Sequence, residues 1–141
     1  MARTRTSTIA PSVDYTLLAI RIVIGVLMIT HGYPKLLRVM AGDFDFADPI
    51  GIGSKASLIF TTLAEFGGSI LLIVGAFSRF AAGSLLFTML VVVFIVKWSG
   101  GLEAMESGLL YGITYLTLFV LGPGKFSLDY RFVNKLLKKY S

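Results

Sequence analysis

Four runs of apolar residues, each about as long as a bilayer is thick, dominate this chain. A hydrocarbon core of about 30 Å needs ~20 residues at about 1.5 Å each, and residues 15–40, 55–77, 79–98 and 105–121 meet that length. No water reaches the backbone in lipid, so each run must close its own hydrogen bonds, which a helix does within one segment. The expected fold class is all-α: a polytopic membrane protein with a four-transmembrane-helix bundle and a C-terminal amphipathic interfacial helix. Residues 14–124 form the bundle, 1–13 a disordered arm and 125–141 a basic interfacial tail.

Composition agrees. Hydrophobic residues are 55% of the 141 and charged residues 15%, with a mean hydropathy of +0.81, too little charge to cover a soluble domain. The bundle uses nearly all of the chain, so function is sought within or between the helices. There are no cysteines, which removes disulfides, thiolate metal sites and thiol redox chemistry. The net charge of +5 comes from basic residues that flank apolar runs, which suits anionic headgroups and not nucleic acid. Arg3 and Arg5 ahead of the first run have the outline of a signal peptide, but His31-Gly32-Tyr33-Pro34-Lys35 stands where a cleavage motif belongs, so the run is expected to stay as a helix.

Basic residues set the orientation. With four spans both termini share a side, which holds Arg3, Arg5, Arg79, Lys125, Arg131, Lys135, Lys138 and Lys139. The other side holds Lys35, Arg38, Lys55 and Lys97, diluted by Asp43, Asp45, Asp48, Glu103 and Glu106. The positive-inside rule places both termini in the cytoplasm of a bacterium or archaeon and the acidic loops outside.

Ionisable residues within a span are costly and mark sites or ion pairs. Arg21 lies about 9 Å into the first span, where it reads equally as a snorkelling anchor or a structural ion pair. His31 and Lys35 are four apart and share a face. Glu65, about 12–15 Å down the second span, lies at the level of His31. A buried glutamate needs a partner, and His31, Lys35 and Lys97 are the cations at that level. The expected cluster is His31, Lys35, Glu65, Lys97, Trp98 and Tyr111. Glu65 and His31 are the candidate catalytic, proton-handling groups, Lys35 and Lys97 hold a carbonyl or headgroup, and Trp98 and Tyr111 form walls. A His and a carboxylate beside aromatic rings suit a quinone or another amphipathic molecule. One His and one carboxylate are too few for a metal.

Small residues point to close packing: Ala64 and Gly68 around Glu65, Gly108 and Gly112 as a GxxxG, and Gly67, Gly75 and Gly83 elsewhere. The same motifs weakly suggest a homo-oligomer. Ser78-Arg79 reads as the turn between the second and third spans, and Glu103 and Glu106 as part of the loop before the fourth. After Gly122-Pro123-Gly124, the residues Phe132, Val133, Leu136, Leu137 and Tyr140 recur on one helical face opposite Arg131, Lys135, Lys138 and Lys139, with Asp129 as the expected N-cap.

Several stretches together resemble the DoxX family of small four-helix membrane proteins. They are Arg21 with Gly25 and His31-Gly32-x-x-Lys35-Leu36, then Glu65-Phe66-Gly67-Gly68 and Leu71-Leu72-x-x-Gly75, and then Ser78-Arg79-x-Ala81-Ala82. Gly100-Gly101, Glu106 and Leu109-Leu110-Tyr111 follow, and lastly Gly122-Pro123-Gly124-Lys125-Phe126-Ser127-Leu128-Asp129. Ser99 stands where the family often has Asn. The resemblance implies a membrane component of an oxidoreductase system, linked to quinone or to a redox partner protein. Relatives of this kind include a subunit of archaeal thiosulfate:quinone oxidoreductase and a bacterial complex of oxidative-stress defence. Two other classes stay open: a scaffold subunit whose polar cluster locks the bundle, and a small-solute transporter, which would require a through-going path.

Overall fold

The computed structural model describes residues 10–140. Most of the expected N-terminal arm therefore lies outside the described residues, and the first helix begins before the arm was expected to end. That helix, α1, runs from Pro11 to Ala41. Proline suits a helix start because its missing N–H has no partner there anyway. Helix α1 then continues through Pro34 and ends on Gly42, whose φ of 73° lets it close the last turn.

Helix α2 spans Ser54–Val74 and α3 spans Ser78–Val96. A short 3-10 turn, Trp98–Gly100, leads into α4, Gly101–Leu121. The last helix, α5, is Leu128–Tyr140. Helices α1 to α4, with that turn, are long and apolar enough to cross a membrane, so the chain is an all-helical, multi-pass membrane protein. We call the side carrying residues 42–53 the loop end and the opposite side the terminal end.

Three boundaries differ from expectation. The turn between α2 and α3 is Gly75–Phe77 and not Ser78-Arg79. Gly75 has φ 74° and ends α2, its own N–H and that of Ala76 bonding back to the Leu71 carbonyl at 2.9 and 3.0 Å. Glu103 and Glu106 lie on α4, because a left-handed Gly101 compresses the preceding connection to one tight turn. Asp129 does not cap its own helix. Ser127 does, its Oγ accepting the Tyr130 N–H at 3.2 Å.

The buried face of α1 reads Asp14, Leu17, Arg21, Gly25, Met28, Gly32. These steps of three and four make one stripe, and Arg21, Met28 and Lys35 repeat along it at intervals of seven. The core is completed by Leu72, Ala81, Ala82, Leu85, Met89, Tyr115 and Leu118. Lipid tails are as apolar as these side chains, so close backbone approach does much of the packing. A Cβ on Gly25 would lie 2.5 Å from Ile73, and one on Gly32 would lie 2.7 Å from the Phe66 nitrogen and 2.9 Å from the Glu65 carbonyl carbon. Gly108 meets Val93 in the same way at 2.6 Å, so the GxxxG motif is used between α3 and α4. A Cβ on Gly67, by contrast, would meet nothing within 4 Å beyond its own helix.

Candidate functional site

Glu65 occupies a π-helical turn, Leu63–Gly68, in the middle of α2. Such a turn inserts one residue into the helical ladder and often marks a functional position. The sequence carries no signature of it. Its effect is to present Glu65 to α1 at the level where Gly32 has no side chain. The two backbones touch there, and the carboxylate, 4% exposed, is driven against Lys35.

Lys35 forms an ion pair with Glu65 Oε2. Its ammonium also approaches the His31 carbonyl at 3.4 Å. Pro34, one residue before Lys35, has no N–H to donate to the Thr30 carbonyl of the preceding turn. Among the described residues, Lys35 is the hydrogen-bond partner of the Glu65 side chain. His31 is exposed on the flank of α1, and its ring meets Tyr111 edge-on at 5.8 Å and 87°. Tyr111 in turn stacks on Tyr115 at 6.1 Å. Lys35 with Glu65, Lys35 with the His31 carbonyl, and His31 with Tyr111 thus make a chain of contacts.

Tyr115 is the member that sequence reasoning missed. It is fully buried and its hydroxyl has no partner among the described residues, a cost of about 1–3 kcal/mol. Its spacing of four from Tyr111 places both on one helical face, and that is the signal available in the sequence.

Lys97 and Trp98 contribute less than expected. Lys97 makes no ion pair or side-chain hydrogen bond among the described residues. Trp98 is exposed and packs on Phe94 at 5.9 Å, not on Tyr111. A second π-helical turn, Val92–Val96, ends α3 just before them and leaves both at its outer tip. Of the grooves on the bundle surface, two are lined by none of the six expected site residues. One, of about 230 Å³, runs between α3 and α4 past Met89, Val93, Gly108 and Gly112. The other, of about 360 Å³, follows α4 past Glu103 and Glu106.

A second polar cluster sits at the terminal end. Arg21 is wholly buried, so the snorkelling reading fails. Its Nη2 donates to the Phe126 carbonyl, and the Asp129 carboxylate is its electrostatic counterpart. It also lies beside Gly75, at the C-terminal, partially negative end of α2. Asp129 accepts the N–H groups of Phe77 and Ser78, both at 2.8 Å, and so caps α3 from outside. Phe77 needs that support, because it is the one non-glycine with positive φ, 47°, among the described residues. Asp14 accepts the Lys125 N–H at 3.0 Å.

Comparison with known proteins agrees with this architecture. A family model described as DoxX matches residues 16–98, which carry Arg21, His31, Lys35 and Glu65. The chain belongs to the DoxX family. It is also similar to an uncharacterized protein of Haemophilus influenzae, 31% identical over 132 residues, covering 86% of this chain and 93% of that protein. No solved structure matches. The DoxX match ends at Trp98, so it includes the mid-membrane ion pair but not its aromatic neighbours on α4.

Proposed function

We propose that this DoxX-family membrane protein binds a quinone or a similar amphipathic molecule at the His31, Lys35, Glu65 and Tyr111 cluster, and serves a redox partner protein. The supporting observation is an ion pair sunk within the spans beside an exposed imidazole whose ring meets Tyr111 edge-on. Ionisable groups at that depth cost several kcal/mol and are seldom kept without a task. Lys35 holds a ligand carbonyl, Glu65 and His31 exchange protons with it, and Tyr111 supplies the wall. Trp98 and Lys97 form an outer rim. The electrons belong to the partner, since the chain has no cysteine. Excess basic residues at the terminal end support a cytoplasmic face for that end, and the reading goes with a location in the cytoplasmic membrane.

The test is the thermal melt of the purified protein in detergent, with and without a short-chain ubiquinone or menaquinone. The wild type is expected to melt higher with quinone, and Glu65→Gln to fold but lose the shift. Absence of a shift with several quinones overturns the proposal.

The alternative class, a scaffold subunit locked by the same ion pair, is favoured by the burial of Glu65. Removing one partner of a buried pair costs about 3–5 kcal/mol, whereas replacing both with apolar residues is often neutral. A Lys35→Met, Glu65→Leu double variant that recovers full stability and partner assembly supports the scaffold. One that recovers stability but not quinone binding supports the site.

A further inference from the structure

The terminal end carries a feature that the proposed site does not use. No residue of α5 is buried, although Phe132, Val133, Leu136, Leu137 and Tyr140 are large and apolar. A helix of this kind in isolation would roll freely, and its apolar face would have no fixed direction. Here the roll is set by Asp129. Its two oxygens hold the Phe77 and Ser78 N–H groups, and its own N–H donates to the Gly75 carbonyl at 2.9 Å. Phe132, Val133 and Leu136 follow Asp129 at three, four and seven residues, so they lie on the same helical face. Pinning Asp129 to the turn between two membrane-spanning helices therefore turns that apolar face toward the membrane. Arg131, Lys135, Lys138 and Lys139 lie on the opposite side and its flanks, facing water.

Charge at this end is one-sided. Arg79 is exposed near the four cations of α5, while of the carboxylates nearby Asp129 is engaged by backbone N–H groups and Asp14 by the backbone N–H of Lys125 and, at 3.8 Å, by its ammonium. A second copy of the same face would bring like charges together. A layer of anionic headgroups meets both needs, offering acyl boundary to the apolar face and phosphate to its flanking cations.

We propose that α5 is a docking surface for anionic phospholipid, rolled into register by Asp129, with its apolar face in the acyl boundary and its lysines among the headgroups. The absence of cysteine from the chain makes single-cysteine labelling unambiguous. Phe132→Cys and Lys138→Cys, each carrying an environment-sensitive fluorophore, are compared in full-length protein reconstituted in nanodiscs. One set is pure phosphatidylcholine and the other contains phosphatidylglycerol.

The label at 132 is expected to be dry and quenched by brominated acyl chains, and the label at 138 wet. Trypsin should cut at Lys135, Lys138 and Lys139 about tenfold more slowly in the anionic discs, and high salt should cancel the difference. With those three lysines replaced by glutamine, trypsin cleavage after Arg131 should no longer depend on phosphatidylglycerol, while label 132 stays dry. Equal behaviour in the two lipid compositions overturns anionic selectivity. A wet label at 132, equal burial of both labels, or burial that depends on the number of protein copies per disc overturns the lipid-facing geometry.

Discussion

The two polar clusters of the bundle use similar residues to different ends. At the terminal end, Asp129 is spent on backbone N–H groups and Asp14 on the backbone N–H of Lys125, with that residue's ammonium 3.8 Å away, and Arg21 lies under the chain that follows α4. The carboxylates there act as caps, and they tie residues distant in sequence into one knot. In the loop half, among the described residues, the Glu65 carboxylate is met by the Lys35 side chain, the His31 ring by an aromatic edge, and the Tyr115 hydroxyl is left unpaired. The contrast suggests a rule for membrane bundles: polar groups matched to backbone fasten the fold, and polar groups matched to each other, or to nothing, are where a ligand has something to gain. Arg21 qualifies the rule, because its Nε and Nη1 are also unmatched, and the end of α2 supplies the compensating negative potential instead.

The sharpest way to break this comparison is through the glycines beneath each cluster. A Cβ on Gly75 would lie 2.1 Å from Arg21 Nη1 and 2.5 Å from Ser127 Cβ, at a φ of 74° that side chains resist. Gly75→Ala is expected to cost about 3 kcal/mol or more. Gly32→Ala meets the backbone of Glu65 and Phe66 and should cost about 2 kcal/mol, while Gly67→Ala, with open space around it, should cost nothing. Denaturation in detergent ranks the three. A harmless Gly75→Ala would show that the knot is not what fastens the terminal end.

A smaller effect is expected from Asp129→Ala. Loss of the cap on α3 should cost about 1–2 kcal/mol and release α5, which hydrogen exchange of 128–140 would register as faster exchange. Stability unchanged and exchange unchanged would mean that the Asp129 bonds are incidental, and the two clusters would no longer differ in kind.

The smallest effect concerns the loop end, where carboxylates again cap backbone. Arg38 holds the Asp43 carboxyl below its usual range through a hydrogen bond at 2.9 Å. The Gly53 N–H does the same for Asp48, which also accepts from Ile52 and Ser57. A depressed folded-state pKa stabilises above the unfolded value of 3.8, and that contribution is lost as pH falls through the folded one. Lowering the pH from about 5 to about 2.5 should therefore free residues 42–53, seen as faster amide exchange at Ile52 and Gly53. Both carboxylates are exposed, so the bundle itself should hold.

The helices were legible in the sequence because the bilayer imposes a length, an apolar composition and internal hydrogen bonding on any span. That Glu65 would pair with one of His31, Lys35 and Lys97 was legible for a related reason, since a buried charge at a given depth has few partners to choose from, but the choice of Lys35 was made by the packing. Tyr115, the π-helical turn at Glu65 and the role of Gly32 were not, since each depends on which faces of α1, α2 and α4 meet, and hydropathy carries no record of that. The end of the chain shows the same division. Its apolar and basic stripes are written in the period of the residues, but the direction they face is set by Asp129, whose partners lie about fifty positions earlier. Periodicity arises within one segment and can be read there, whereas the rotation of one helix against another is a contact between segments, and only the folded molecule decides it.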